Sequence, residues 1–124
     1  MGIDAMNALS VATKNADLRH GTNYYERFLK FLAYFQENDL VCAGAQTDSK
    51  GDRRQRPGEQ KDPDQYVHVV ERREDGVVVR GAKLHNTMAP YADEIIVLPT
   101  RALKTDEKDY AIAFALPADT EGIY

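Results

Sequence analysis

A single cysteine, Cys42, excludes an internal disulfide, and a lone thiol fits a reducing compartment. No apolar run approaches the ~18 residues of a membrane span and no leader pattern opens the chain, so the expected compartment is the cytoplasm, without a membrane partner. Neither G-x-x-x-x-G-K-[ST] nor G-x-G-x-x-G occurs, which removes a Walker loop and a Rossmann fingerprint. Positive charge is not in excess: 16 Lys and Arg against 20 Asp and Glu leave a net charge of -4, which argues against a general nucleic-acid binder. Repeats and low-complexity segments are absent. What remains is ordinary globular composition, 43% hydrophobic and 29% charged over 124 residues. That length suits one domain or part of one, able to bury roughly two-thirds of its unfolded surface. The abrupt start at Met1 and stop at Tyr124 suggest a piece of something longer, although short termini are common in small domains.

Ala5, Ala8, Leu9, Ala12 and Ala16 recur at helical spacing, which predicts a helix from Asp4 to about Asp17 with Asp4 as its cap. Asn23 and Glu26 have capping-box spacing, and a second helix should run to about Asn38. Its apolar face is broad, with Tyr24, Phe28, Phe31 and Phe35 in one row and Tyr25, Leu29 and Leu32 in the next. Core packing is the first reading of that stripe, and so wide a face needs cover from other elements. Leu40–Ala45 reads as a short buried strand, with Cys42 in the core rather than serving as a nucleophile or metal ligand. Tyr66–Val70 and Val77–Val79 read as a hairpin turned by the positive φ of Asp75-Gly76. Further strands are expected over 93–99 and 110–116, with a charged turn at 104–109. Two helices followed by five strands in a mainly antiparallel arrangement define the α+β class.

The segment from Gln46 to Asp64 is polar, with Asp48, Lys50, Gly51, Asp52 and Arg53 near its start. A long loop without secondary structure is usually functional or disordered. Anion-binding side chains around a glycine suit a phosphate-bearing ligand, while a solvated charged loop is the plainer reading. His85, alone, reads more readily as a structural imidazole than as a catalyst. A sheet edge could bring 46–53 and 85–87 together.

Taken in order, Asp4-Ala-Met-Asn-Ala-Leu9, Thr47-Asp-x-Lys-Gly-Asp-Arg53, Gln60-x-Asp-Pro-Asp64, Tyr66-Val-His-Val-Val-Glu-Arg72, Asp75-Gly-Val-Val-Val-Arg-Gly-Ala-Lys83, His85-x-Thr87 and Glu94-Ile-Ile-Val-x-Pro-Thr-Arg-Ala-Leu103 resemble the 4-hydroxybutyryl-CoA dehydratase branch of the 4-hydroxyphenylacetate 3-hydroxylase family. The resemblance implies part of an acyl-CoA dehydrogenase-like fold, with residues 1–39 ending an N-terminal helical domain and 40–124 forming most of a middle β-domain. It implies that Gln46, Thr47, Asp48, Ser49, Lys50, Gly51, Asp52 and Arg53, with His85, Asn86 and Thr87, line a site for flavin adenine dinucleotide (FAD). Lys50, Arg53 and the amides around Gly51 would meet the pyrophosphate, the Thr47 and Thr87 hydroxyls would bond the flavin ring, and His85 would sit beside it. Asn86 and Met88 stand where the family's dehydratases commonly carry Gln and Gly, which bears on the substrate.

The family's dehydratase removes water from 4-hydroxybutyryl-CoA and isomerises vinylacetyl-CoA, using FAD and a [4Fe-4S] cluster held by three cysteines and a histidine. The resemblance places those four ligands outside this chain, so the isolated polypeptide is expected neither to build the cluster nor to catalyse dehydration. A CoA thioester substrate and a homo-oligomer belong to the full-length enzyme, and the aromatic helix face predicts self-association of the isolated chain. Three alternatives stand beside this one. They are a segment of a flavin-dependent 4-hydroxyphenylacetate 3-monooxygenase-type hydroxylase, a non-catalytic module whose Lys50–Arg56 run binds an anionic partner, and a degenerate fragment.

Overall fold

The computed structural model describes residues 2–124; Met1, the first residue of the expected 1–39 segment, lies outside the described residues. Helix α1 (Gly2–His20) begins two residues before Asp4, so Asp4 sits in the first turn instead of capping it, while Arg19 and His20 complement the dipole at the other end. Gly21, at φ +64°, ends the helix with its N–H donated to the Asp17 carbonyl at 2.9 Å.

Helix α2 (Tyr24–Glu37) starts differently from the capping-box expectation, because the Asn23 side chain makes no cap bond. Asp17, from the last turn of α1, accepts instead from the N–H groups of Tyr24 and Tyr25 at 2.8 and 2.9 Å and from the Thr22 hydroxyl at 2.6 Å. The tight connection swings a full carboxylate over two orphan amides, and an ionised acceptor outcompetes an amide oxygen there.

Five strands follow: β1 (Cys42–Ala45), β2 (His68–Arg72), β3 (Val77–Arg80), β4 (Glu94–Val97) and β5 (Phe114–Pro117). They form two sheets, not the single sheet expected. One is the antiparallel hairpin β2-β3, and the other has the order β1-β4-β5. In the latter β4 pairs antiparallel with β5 but parallel with β1, in the register Cys42 to Glu94 through Ala45 to Val97. The sheets are thus mainly antiparallel, with one parallel pair that the sequence reading did not foresee. The hairpin closes through Arg73–Gly76, with Arg73 N–H donated to the Gly76 carbonyl at 2.9 Å, and Gly76 is not in the positive-φ region. A four-residue connection does not require the positive φ that a two-residue turn demands.

Strand β4 is buried at all four positions and separates two packing layers. Ile96 meets Met6 and Phe28 of the helices, with Tyr25, Phe31, Leu32, Phe35 and Cys42 around them. Ile95 and Val97 join Ala45 on the other face, against Val67, Ala89, Phe114 and Leu116. The alternation is the period of two expected of a strand with both faces covered. The α2 stripe enters the core from both rows, Phe28, Phe31 and Phe35 from one and Tyr25 and Leu32 from the other, while Tyr24 and Leu29, one from each row, are exposed. Cys42 packs against the helix-side core, and burial pushes its thiol pKa up, which keeps it protonated and unreactive.

A parallel pair needs a crossover connection, usually a helix. Here the crossover from β1 to β4 is the polar loop, the hairpin and three 3-10 turns (Pro57–Glu59, Pro63–Gln65 and Ala89–Tyr91). Its residues Val67 and Ala89 pack on the layer opposite the helices.

Candidate functional site

Because β1 and β4 run in the same direction, the residues that leave them emerge side by side. Gln46–Asp48 after β1 therefore meets Leu98–Arg101 after β4, and the segment leaving the hairpin inserts between them. Asp48 forms an isolated antiparallel bridge with Lys83, and Leu84 N–H donates to the Thr47 carbonyl at 2.8 Å. At the junction sits the Lys83 ammonium, with its side chain 8% exposed. It donates to an Asp48 carboxylate oxygen, to the Gln46 carbonyl at 3.0 Å and to the Leu98 carbonyl at 2.8 Å. The Thr100 hydroxyl bonds the other Asp48 oxygen and lies against the Gln46 carbonyl. A buried ion pair is tolerable when its remaining hydrogen-bonding capacity is filled, as it is here.

Beyond this junction a pocket of about 160 Å³ is lined by Asp48, Lys50, Arg53, Tyr66, Thr100 and Arg101. Tyr66 is buried, and its hydroxyl donates to the Lys50 carbonyl at 3.1 Å. The Arg101 guanidinium lies 6.0 Å from the Tyr66 ring centroid and donates to the Gln55 carbonyl at 3.1 Å. Lys50 and Gly51 both take positive φ, +72° and +48°. A Cβ at Gly51 would stand 1.9 Å from Gln65 Oε1 and 2.3 Å from Gln60 Oε1, so only glycine fits without displacing both amides. Gln65 Oε1 is itself buried without a hydrogen-bond partner. Lysine in the left-handed region is uncommon, and such strain concentrates at functional sites.

The residues singled out from sequence fall into three groups. Lys50 and Arg53 share the pocket, and Gly51 shapes the bend between them. Gln46 and Thr47 contribute carbonyls, Asp48 its carboxylate and Ser49 a hydroxyl donated to the Gln65 carbonyl at 2.7 Å, all to the scaffold. Asp52 pairs with the exposed Arg54 at 3.1 Å, and the Arg54 guanidinium holds the Asp52 carboxyl below its usual range. His85, at φ +61°, and Thr87 are exposed next to the Lys83 junction, but neither they nor Asn86 line the pocket. Tyr66, Lys83, Thr100 and Arg101 were not singled out. The signal that leads to Thr100 and Arg101 is the continuous apolar run just before them, which with Leu40–Ala45 is the mark of paired strands buried on both faces.

The basic run Lys50–Arg56 is not one uniform patch. Arg54 is neutralised by Asp52, and Arg56 by Glu107 through bonds that include Nε to Oε1 at 2.7 Å. Lys50, Arg53 and Arg101 have no acidic partner among the described residues and converge on the pocket. With a glycine bend beside them, these residues fit a phosphate-bearing group of a cofactor. A cluster is a different case: no group of three or more His, Cys, Asp or Glu side chains among the described residues could hold a metal ion. No described helix is long and apolar enough to cross a membrane.

Fold and pocket together define an α+β domain with a cationic, tyrosine-floored pocket at the carboxyl ends of two parallel strands. The family described as 4-hydroxyphenylacetate 3-hydroxylase N terminal matches residues 1–124, and the chain belongs to it. It is 49% identical over 124 residues to the 4-hydroxybutyryl-CoA dehydratase/vinylacetyl-CoA-Delta-isomerase of Clostridium aminobutyricum, covering 100% of this chain and 25% of the relative. An oxygen-tolerant archaeal 4-hydroxybutyryl-CoA dehydratase from N. maritimus superposes with a TM-score of 0.95 at 47% identity, over 98% of this chain and 24% of that one. The oxygenase component (HpaB) of 4-hydroxyphenylacetate 3-monooxygenase, in complex with FAD, superposes at 0.78 with 31% identity, over 97% of this chain and 24% of that one. The chain thus spans about a quarter of the length of the relatives it matches.

Proposed function

We propose that this chain is the flavin-binding segment of a 4-hydroxybutyryl-CoA dehydratase and vinylacetyl-CoA isomerase. In this reading residues 1–39 end a helical domain and 40–124 belong to the middle β-domain of an acyl-CoA dehydrogenase-like enzyme. The observation that carries the reading is the Asp48–Lys83 bridge with the Leu84–Thr47 bond, which sets 46–53 beside the segment leading into 85–87. The higher identity to the dehydratases than to the hydroxylase component supports the choice of branch.

FAD, when bound, supplies an electron acceptor that removes a hydrogen from a carbon too weakly acidic for a side-chain base alone. The chain's own residues bind and orient. Lys50 and Arg53 meet phosphate charge, Thr47 and Thr87 offer hydroxyls, and the buried Lys83–Asp48 pair holds the two segments in register. A CoA thioester substrate and a homo-oligomer are assigned to the longer enzyme only.

Titrating FAD into the purified chain tests the reading. Binding should quench flavin fluorescence, and Gly51→Ala should abolish the quench while a distant Val11→Ala leaves it unchanged. The isolated chain should yield no crotonyl-CoA from vinylacetyl-CoA; product formed without a partner polypeptide would refute the assignment of catalysis to the longer protein. The hydroxylase branch is the second reading, favoured by the likeness to a component whose structure contains FAD. Iron in the full-length protein decides between them, its presence favouring the dehydratase.

A further inference from the structure

The turn that joins β2 to β3 holds reactive groups that neither the pocket nor its scaffold uses. Asp75-Gly76 is the single Asp-Gly step in the chain, and both residues are exposed. The backbone amide that follows an aspartate attacks the side-chain carboxyl carbon when carboxyl and amide are both unengaged and the next residue is small. All three conditions meet at Asp75. Among the described residues its carboxylate makes no hydrogen bond or ion pair, and the Gly76 N–H has no acceptor within the chain. The bond that closes the turn uses other groups, the Arg73 N–H and the Gly76 carbonyl, at 2.9 Å. A Cβ at Gly76 would meet nothing within 4 Å, so the Asp75 side chain has open space to swing through.

Every other described aspartate is blocked. After Asp39, Asp64, Asp93, Asp106, Asp109 and Asp119 the next amide is donated to a carbonyl, at 3.0 to 3.3 Å. Asp48 and Asp52 have their carboxylates spent on Lys83 and Arg54. Asp62 precedes a proline, which has no N–H, and Asp4 and Asp17 lie in α1.

We propose that Asp75 is a site of covalent self-modification, the isomerisation of aspartate to isoaspartate through a cyclic imide with Gly76. The Gly76 nitrogen bonds to Asp75 Cγ, and one carboxyl oxygen leaves as water, taking the amide proton and a second proton from solvent. Water then opens the imide at either carbonyl. Opening at the main-chain carbonyl of Asp75 leaves the chain running through the side-chain carbon, longer by one backbone atom. One water is lost and one regained, so composition is unchanged and nothing is oxidised or reduced. The lengthening falls on the hairpin tip, against the Arg73–Gly76 closure, and not on the Lys83 junction that follows the hairpin. The site is independent of the flavin reading.

Ageing the folded 124-residue chain at pH 7 tests it, with isoaspartate counted by an isoaspartyl methyltransferase and located by peptide mass mapping. Isoaspartate should gather at Asp75 ahead of every other aspartate, through a species lighter by one water. The rate should be within severalfold of that in a free peptide of residues 71–80, because the fold engages neither reacting group. Gly76→Ala fits without strain, since Gly76 is outside the positive-φ region and its surroundings are open, and it should slow the reaction severalfold. Asp75→Glu, which keeps the charge but disfavours the five-membered ring, should remove it. A folded chain that stays unmodified at Asp75 while the peptide reacts, an even spread over the aspartates, or an undiminished rate in Gly76→Ala overturns the proposal.

Discussion

Both faces of β4 carry an apolar layer, and they differ in how charge is placed around it. Towards the crossover, charge is held in matched pairs, the buried Lys83 with Asp48 and the partly exposed Arg56 with the buried Glu107, and each pair ties segments far apart in sequence. Towards the helices the layer is apolar, Met6, Phe28 and Ile96, apart from one acid, Glu94, which is 4% exposed. Glu107 is 7% exposed, so the two glutamates are buried alike, yet their titrations shift in opposite directions. The Arg56 guanidinium and the Lys104 amide hold Glu107 down to about 2. Burial pushes Glu94 up, with the Tyr34 hydroxyl only partly opposing it and Asp93 and Asp119 adding to the rise. The side that frames the pocket adds paired, directional bonds to its apolar layer, whereas the side that holds the helices leaves its one acid without a cation.

The largest test is to break a pair on the crossover face. Lys83→Met leaves the Asp48 carboxylate buried without its cation, and the expected loss is about 3–5 kcal/mol of unfolding free energy, read from the urea midpoint. Lys83→Met with Asp48→Leu should recover most of it, because the penalty lies in the orphaned charge. A double variant as unstable as the single one would mean that this face depends on packing after all. The matching test on the helix face is Ile96→Ala, which empties the most buried side chain of that layer. It should lose about 2–4 kcal/mol, with no recovery from any change in charge.

An acid titration separates the faces without mutation. Glu107 has a folded pKa of about 2 against an ordinary 4.5, so its contribution is fully present above 4.5 and is lost as pH falls from 4.5 towards 2. Glu107→Gln should flatten that acid limb of the stability curve. An unchanged limb would assign acid unfolding to other carboxylates.

Much of this was legible in the sequence where local signals suffice. Both helices, five strands and the polar crossover follow from apolar period and turn residues. The missing part was the direction of one pairing: the apolar runs of β1 and β4 mark strands buried on both faces, but they do not say which two strands pair or in which direction. That omission hid Thr100 and Arg101, since only a parallel β1-β4 pair sets them beside Asp48. The cap of α2 was missed for a similar reason. Asn23 has the right spacing, but the groups that decide the cap are Asp17 and the angle of the connection, a tertiary fact. Lys83 was read only as part of a motif because its burial depends on three segments closing over it.

The smallest effect is also the one that most directly sets the faces against each other. Glu94 has a folded pKa above its ordinary 4.5, so between those two values the folded chain holds a proton that the unfolded chain has lost. Its contribution to stability therefore falls as pH rises through that window, the reverse of Glu107. Glu94→Gln keeps the shape and can still meet the Tyr34 hydroxyl, while removing the charge that burial opposes. The variant should be at least as stable as the parent at pH 7, with the advantage shrinking as pH is lowered towards 4.5, when both are followed by thermal unfolding. A parent that instead gains on the variant as pH rises would mean that Glu94 meets a compensating positive charge, and the helix face would then be built on the same principle as the crossover face.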